Sequence, residues 1–482
     1  MKKLLYYFGG GVLFLFVLNA CGKDDLGAPE DEEEVVTPNN KTIEWIKEEM
    51  EEVYYWNAQM PVIDITKETD PEAYFNKLIY KDDFFSWITD DYASLQSGYD
   101  GEPVAMGYDP AFYVFSDDRD RIFIVVNYVY PQSGAYTAGL RRGNIILKIN
   151  NQEIKTDNYY DLYSGSAYSV QLGKITVNGN NLDIAESGTT LNLTSAISNP
   201  EPAVHYEVID TLGYKIGYLA YVEFLLGKNN KYLSSLDHIF NEFKTAGISD
   251  LIVDLRYNPG GDIDAAVHLA SEIAPASVVT SQSHLVDLEY NPEYQKTIEK
   301  SYPDELYYKF ENLSSNMNMQ KVYFLTTWGT ASASELVITG LDPYLDVVQV
   351  GDSTYGKFYG AYVLPEPDDE KWAILPIVMK YANAEGYTDF TDGLIPGRSN
   401  LIDDDLIVDN AFYNNKLIYS YPLGNPADPM TKKAIELIAG VSSTKVATRA
   451  VPALDGKFSR LRADQIMNRR NNLLVPVKPE TR

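Results

Sequence analysis

Residues 321 to 360 contain a strand, a turn of small residues and a helix in close succession. Val322 to Thr326 is an apolar, β-branched and aromatic run, the pattern of a buried strand. Small residues fill positions 329 to 334, and apolar residues recur at helical spacing after Glu335 (Leu336, Val337, Ile338 and Leu341). Such a turn presents a side chain at the end of a strand, beside the free N–H groups of a helix. This geometry suits a nucleophilic serine and its oxyanion hole.

Ser332 and Ser334 are the candidate nucleophiles in this turn, and Lys357 is the candidate base. A strand predicted at 347–350 leads to Gly356 and Lys357. A lysine held among packed strands loses hydration, which favours its neutral amine, and a neutral amine can take a proton from a serine hydroxyl. In the alternative interpretation, the serines only cap a helix and Lys357 is a surface residue. The residues of this stretch leave both interpretations open.

Three motifs together resemble the C-terminal processing peptidases, which are serine endopeptidases with a serine/lysine dyad and a tricorn-like core. They are Thr-Ala-Ser-Ala-Ser-Glu at 330–335, Tyr-Gly-Lys at 355–357 and Asp-Leu-Arg-Tyr-Asn-Pro-Gly-Gly at 254–261. The segment Gly-Leu-Ile-Pro-Gly at 393–397 resembles the closing segment of that family.

This resemblance implies a role for each of five residues. Ser332 is the nucleophile, and Lys357, 25 positions later (357 − 332), is the general base. The oxyanion hole combines an N–H group of Gly260 or Gly261 with that of Ala333. The resemblance also implies an α/β catalytic domain of the ClpP/crotonase-like type with a mixed sheet.

Position 361 departs from the family pattern. The family often has a glutamine four residues after the lysine, where this chain has Ala361. Lys357 must then be oriented by another group. The departure keeps open an alternative in which the scaffold binds a peptide or another ligand without hydrolysing it. A third interpretation is a regulatory module that tethers partners in the cell envelope.

Composition limits the classes of partner and cofactor. A formal net charge of −29 over 482 residues argues against nucleic acid as a partner, because phosphate binding needs clustered Lys and Arg. The sequence has no H-E-x-x-H motif and one cysteine, so a zinc peptidase is not expected. The four histidines (205, 238, 268 and 284) lie in no recognisable triad context. We therefore expect neither a metal nor an organic cofactor in the reaction.

The N-terminus resembles the signal peptide of a bacterial lipoprotein. Two lysines precede an apolar stretch, and residues 1–20 end just before Cys21, which would become lipidated. Residues 21–40 form an acidic tether that we expect to be disordered. These features predict a lipid-anchored protein of the bacterial cell envelope, in the outer membrane, on either its periplasmic or its surface face.

The remaining chain divides into four parts in this prediction, which describes a multidomain α+β protein. They are a small helical domain at 41–95, a PDZ-like β domain at 96–205, the catalytic domain at 206–422, and a C-terminal helix with a basic tail at 423–482. Residues 133–150 carry the PDZ resemblance, which makes Met106, Gly107 and Tyr108 the candidate loop for a peptide carboxylate. Strands at 346–350, 358–363 and 372–381 are predicted to continue one mixed sheet. Together these features predict a serine endopeptidase that recognises the C-terminus of a protein or peptide substrate.

Overall fold

The computed structural model describes residues 38–115, 117–178, 181–197, 200–367, 371–402, 421–441 and 458–460. The predictions made for the signal peptide, for Cys21, for the tether as far as residue 37 and for most of the basic tail lie outside these residues. Among the described helices, none combines the length and the apolar character that crossing a bilayer requires.

The N-terminal region is helical, as predicted, and it packs on the α/β unit that follows later in the chain. Its elements are α1 (Pro38–Val53), α2 (Pro71–Leu78), β1 (Trp87–Thr89) and α3 (Tyr92–Tyr99). Helix α1 buries Ile43, Ile46 and Met50 at helical spacing, and α2 begins at the N-cap Asp70, which accepts a hydrogen bond from the backbone of Ala73. The buried residues of both helices belong to the same apolar cluster as the core of the α/β unit.

The second part of the chain is a β-rich unit. Its elements are β2 (Val104–Ala105), β3 (Tyr108–Phe115), β4 (Arg121–Val129), α4 (Gly134–Thr137), β5 (Ile145–Ile149), β6 (Gln152–Lys155), α5 (Tyr159–Tyr163), β7 (Ala167–Asn178), β8 (Asn181–Thr194) and β9 (Ala196–Ile197). Strands β3, β4, β6, β5, β7 and β8 are neighbours in that order. Phe112 and Ile124 pack on one face of this sheet, and Tyr113 and Phe123 pack on the other. Both faces are therefore buried.

The third part is an α/β unit. Its elements are β10 (Ala203–Thr211), β11 (Tyr214–Tyr221), α6 (Lys231–Ala246), β12 (Asp250–Asp254), α7 (Ile263–Ile273), α8 (Ala276–Ser281), β13 (His284–Tyr290), α9 (Pro292–Ser301), β14 (Tyr307–Lys309), β15 (Lys321–Thr326), α10 (Ala333–Leu341), β16 (Asp346–Gly351), β17 (Tyr359–Ala361), β18 (Leu364–Pro365), β19 (Ala373–Leu375) and β20 (Ile377–Asn383).

The central sheet of this unit has five strands in the order β10, β11, β12, β15, β16. Strands β10 and β11 are antiparallel, and the other neighbours are parallel, so the sheet is mixed as predicted. Asp254 at the end of β12 pairs with Leu325 near the end of β15. Because parallel neighbours end at the same edge of a sheet, the turns after these two strands lie side by side.

The prediction of one continuous mixed sheet was wrong for the strands beyond β16. Strands β17 and β20 belong to a separate four-stranded sheet in the order β14, β13, β20, β17. Strand β19 pairs with β1 of the N-terminal region, and β18 pairs with the other edge of β19. Strands β19 and β20 pair with β1 and β13, which are distant in sequence, and strand patterns do not specify such partners.

The C-terminal part contains α11 (Pro429–Ile438) and β21 (Phe458–Arg460). Met430 and Ala434 of α11 pack on the central sheet against Ile216 and Tyr218. Strand β21 pairs antiparallel with β3, which makes the sheet of the β-rich unit seven-stranded. The chain is thus a mixed α/β multidomain protein, as predicted.

Candidate active site

The turn between β15 and α10 is hydrogen-bonded to the residues that directly follow β12. The Thr330 hydroxyl donates to the carbonyl oxygen of Leu255 at 2.8 Å. The N–H of Ala331 donates to the backbone carbonyl oxygen of Asn258 at 3.1 Å. Ser334 is fully buried and its hydroxyl donates to the same Asn258 oxygen at 2.9 Å. The geometry therefore gives Ser334 a structural role and leaves Ser332, which is partly exposed, as the candidate nucleophile.

Ser332 has a strained backbone. Its φ is +55° and its ψ is −115°, a region that residues other than glycine rarely occupy. Helix α10 starts at the next residue, Ala333, whose N–H belongs to the first turn and has no acceptor one turn earlier in the helix. This is the sharp strand-to-helix turn that the sequence predicted.

Lys357 lies in the segment between β16 and β17 and is 2% exposed. Gly356 before it has a φ of +93° and lies close to the carbonyl groups of Phe390 and Thr391, an approach that a Cβ atom would block. The Lys357 Nζ atom lies 5.2 Å from the centre of the Phe85 ring. The lysine is therefore a buried side chain and not a surface residue.

A single carboxylate, that of Glu335, joins the serine turn to the lysine segment. Its Oε2 atom accepts the N–H of Ser332 at 2.8 Å and the N–H of Lys357 at 2.9 Å. Its Oε1 atom accepts the Thr354 hydroxyl at 2.5 Å and the N–H of Gly356 at 2.7 Å. Burial raises the pKa of Glu335, and these four hydrogen bonds oppose the shift. The backbones of the two candidate residues are thereby held on one oxygen atom.

Tyr381 of β20 is a second link between them. Its hydroxyl oxygen lies 3.2 Å from the carbonyl oxygen of Ser332 and 3.4 Å from that of Lys357. Burial, and secondarily the charge of Glu335, raise the pKa of Tyr381 well above its ordinary value. The phenol therefore stays protonated and can donate.

The glycine pair after β12 abuts the serine turn. A Cβ on Gly260 would lie 2.8 Å from Cβ of Ser332 and 3.0 Å from the nitrogen of Ala333. Gly260 and Gly261 have φ values of +112° and +136°, so only glycine fits this approach without strain. The N–H of Gly260 already donates to Oδ1 of Asn258 at 2.9 Å. Of the two predicted glycine donors, Gly261 is therefore the better candidate to pair with Ala333.

Arg256 supports this glycine turn through buried ion pairs. Its guanidinium donates to Asp254 at 2.9 Å and, through two nitrogens, to Asp428 at 2.9 and 3.1 Å. All three side chains are buried. Burial alone would raise the pKa of Asp428, but the guanidinium lowers it below its usual value. Asp428 is also the N-cap of α11, so a helix far along the chain supports the turn.

Phe85 comes from the N-terminal region, between α2 and β1. The carboxylate of Asp83 accepts the N–H groups of Phe85 and Ser86 at 2.9 and 3.0 Å and the Tyr54 hydroxyl at 2.8 Å. These bonds fix the loop that places the Phe85 ring against Lys357. Ala361, where the resemblance expects a glutamine, lies on β17 and pairs with Ile377.

Sequence reasoning did not assign roles to Glu335, Tyr381 or Phe85. The Ser-x-x-Glu spacing at 332–335 is that of a capping box and was a signal for the Glu335 contact with the Ser332 backbone. The sequence carried no comparable signal for Phe85 or Tyr381, because each reaches the site through tertiary packing.

The candidate carboxylate loop of the β-rich unit lies just before β3, where it was predicted. Gly107 has a φ of +82°, and a Cβ there would lie 2.2 Å from Cβ of Ser133. The Met106 carbonyl accepts the N–H of Ala135, and the Gly107 carbonyl accepts that of Tyr130. Met106, Gly107 and Tyr108 are thus packed against the turn before α4, and peptide binding there stays a prediction.

Comparison with known proteins identifies the family. Residues 215–396 match the model of peptidase family S41, a range that contains Gly260, Ser332 and Lys357. Residues 41–87 match that of the peptidase S41 N-terminal domain, and they contain Phe85. The chain carries domains of peptidase family S41. The predicted resemblance to the C-terminal processing peptidases is thereby confirmed.

Two relatives illustrate the range of similarity within the family. A carboxyl-terminal-processing protease of Synechocystis is 23% identical over 277 residues, which cover 57% of this chain and 56% of the relative. The chain thus matches little more than half the length of this relative. A solved structure from Bacteroides fragilis, assigned to the S41 proteases, is 28% identical with a TM-score of 0.68 and covers 83% of this chain and 97% of its own. This S41 chain therefore has the fold of that structure over most of its length.

Proposed function

We propose that this S41 chain is a serine endopeptidase in which Ser332 is the nucleophile and Lys357 is the general base. The observation that carries the proposal is the shared carboxylate oxygen of Glu335, which accepts the backbone N–H groups of both residues. A helix cap alone needs no bond to Lys357, and a surface lysine would not be 2% exposed. The family match and the relative named as a carboxyl-terminal-processing protease support peptidase activity.

The proposed reaction gives each of these groups one role. The Ser332 hydroxyl attacks the peptide carbonyl carbon and transfers its proton to the neutral amine of Lys357. The N–H groups of Gly261 and Ala333 stabilise the oxyanion that forms. Lys357 then gives the proton to the leaving amine, and a water molecule, deprotonated by the same lysine, releases the acyl group from Ser332. The residues named provide each proton transfer without a cofactor.

The proposal extends to substrate and location. The β-rich unit recognises the C-terminus or an extended segment of a protein substrate, with Met106, Gly107 and Tyr108 as the carboxylate loop. Lipidation of Cys21 anchors the protein in the cell envelope, at the outer membrane. Sequence resemblance supports both statements.

Hydrolysis of unfolded casein by the full-length protein in detergent micelles tests the mechanism. Ser332→Ala and Lys357→Ala should each lower kcat/KM by about 10⁴-fold, the scale of removing one member of a catalytic set. Lys380→Ala is the matched control, since that partly exposed lysine pairs with Asp389 outside the site and its loss should leave the rate unchanged. The wild-type rate should rise with pH, because a buried amine must be neutral to accept a proton.

Two results would overturn the mechanism. Cleavage that survives both substitutions would exclude the dyad. No cleavage from neutral to alkaline pH, with equal peptide binding by the wild type and Ser332→Ala, would favour the alternative of a non-catalytic binding protein.

A further inference from the structure

Helices α6 and α7 bring together three side chains that can ligate a metal. Asp237 lies on α6, and His268 and Glu272 lie one turn apart on α7. One ligand atom from each of the three residues falls within 4.8 Å of the others. The Nε2 atom of His268 lies 3.0 Å from Oδ1 of Asp237 and 3.9 Å from Oε1 of Glu272. None of these residues takes part in the proposed peptidase reaction.

Glu272 is the unusual member of the group. Its side chain is 0% exposed. Its Oε1 atom accepts the Ser315 hydroxyl at 2.5 Å, but Oε2 has no hydrogen-bond donor among the residues that the structure describes. Burial raises the pKa of this carboxyl to about 8. A buried carboxylate oxygen without a donor is costly unless a proton or a cation occupies the position beside it.

The surroundings of His268 favour a cation. Its Nδ1 atom lies 2.9 Å from Oε2 of Glu311, the arrangement in which a second carboxylate orients a metal-ligating imidazole. Asp237, Glu272 and Glu311 place three carboxylates around one imidazole. A protonated histidine neutralises one of these charges, whereas a divalent ion bound by the neutral ring neutralises two.

We propose that Asp237, His268 and Glu272 bind a divalent transition-metal ion, for which Zn²⁺ best fits one imidazole and two carboxylates. Zinc–ligand bonds of about 2.0–2.2 Å place neighbouring ligands of a tetrahedral site roughly 3.3 Å apart. The Nε2 atom of His268 lies 3.0 Å from Oδ1 of Asp237 and 3.9 Å from Oε1 of Glu272, one distance shorter and one longer than that value. The Asp237 side chain is 43% exposed, so solvent reaches the site and can supply the fourth ligand.

The bound ion would join three segments. They are α6, α7 and the segment that contains Ser315, whose hydroxyl contacts both Asp237 and Glu272. Helix α7 begins two residues after Gly261. A metal here therefore stabilises the helix that directly follows the glycine donor of the oxyanion hole, and it does not itself participate in catalysis.

Zinc titration of the full-length protein, after removal of metal with EDTA and dialysis, tests the proposal. Calorimetry should give one site per chain, and Zn²⁺ should raise the Tm by several degrees, reversibly with EDTA. Glu272→Gln keeps the shape of the buried side chain and should weaken zinc affinity by at least about tenfold. Asp237→Asn, at a partly exposed position, should do the same if the buried substitution does not fold.

His238→Gln is the matched control. His238 lies next to Asp237 on α6, but its side chain is 67% exposed and pairs with Glu242, so its loss should not change the affinity of the site. Zinc binding that is equal in wild type, Glu272→Gln and Asp237→Asn would identify adventitious binding to surface groups and overturn the proposal. The absence of any binding or Tm change at 100 µM zinc would also overturn it.

Discussion

Replacement of Glu335 by glutamine removes one of the two acceptor atoms that hold the candidate site together. The carboxylate accepts hydrogen bonds from the backbones of Ser332, Gly356 and Lys357 and from the hydroxyl of Thr354. A glutamine amide has one oxygen and one NH₂ group. With the NH₂ group at the position of Oε2, the N–H groups of Ser332 and Lys357 would both lose their acceptor. With it at the position of Oε1, Gly356 is the one backbone N–H group that would lose its acceptor. The Thr354 hydroxyl, which also accepts the N–H of Leu394, would rotate and accept from the NH₂ group.

The second orientation is therefore favoured, and its cost can be estimated. One buried N–H group without an acceptor costs about 1–3 kcal/mol. This energy corresponds to an increase of about 5- to 150-fold in the population of the locally open state. Glu335→Ala removes all the acceptors and releases Ser332 and Lys357 as well. Since small misplacement of reacting groups can cost about 10²-fold in rate, this variant should lose at least that much kcat/KM.

Amide hydrogen exchange distinguishes these outcomes at single residues. In Glu335→Gln, exchange at Gly356 should accelerate by the factor estimated above while Ser332 and Lys357 stay protected. In Glu335→Ala, all three amides should accelerate. Glu366→Gln is the control, because this buried carboxylate accepts one hydroxyl bond, from Thr42, which an amide oxygen can retain. Unchanged exchange at Gly356 in the glutamine variant, or protection of Ser332 in the alanine variant, would refute the role assigned to Glu335.

Two further predictions concern the groups around the site. Phe85→Ala should lower kcat/KM about tenfold and shift the rise of activity to higher pH. Water that reaches Lys357 stabilises the ammonium form, and we expect this effect to exceed the loss of the ring contact, which destabilises that form. Phe84→Ala, at a side chain 68% exposed, is the control, and an equal effect of both variants would contradict a specific contact. Burial, aided by the charge of Asp264, raises the pKa of Asp262, the N-cap of α7, from its ordinary 3.8 to about 6. The folded protein therefore binds this proton more tightly than the unfolded chain, and its stability should fall as the pH rises from about 4 through 6. Asp262→Asn keeps the cap and should raise the Tm by a few degrees at pH 7.5 but not at pH 4, whereas a gain at both pH values in thermal scans would exclude the carboxylate as the cause.

The sequence predicted the elements that depend on local pattern. Helix α7 (Ile263–Ile273) is of this kind, because its apolar spacing and its Asp262 cap are adjacent in the chain. The serine turn was likewise recognisable, since a buried strand, small residues and an apolar helix follow one another within about twenty residues.

The features that were missed or wrongly predicted depend on tertiary contacts. Strand β13 was not predicted, and it forms the partner that separates β20 from the central sheet. Phe85 and Lys357 are 272 positions apart (357 − 85), and no periodicity connects them. The Ser-x-x-Glu spacing predicts the contact of Glu335 with Ser332, but it does not predict the contacts of Glu335 with Gly356 and Lys357.

The ion pair between Arg256 and Asp428 sets an order of events during synthesis. Arg256 is made 172 residues before Asp428, and until that carboxylate arrives a buried guanidinium next to the glycine turn lacks its bidentate partner. The glycine turn is therefore completed only after most of the chain has left the ribosome. A nascent or prematurely terminated chain lacks this support, and we expect the proposed peptidase to be inactive until Asp428 is in place.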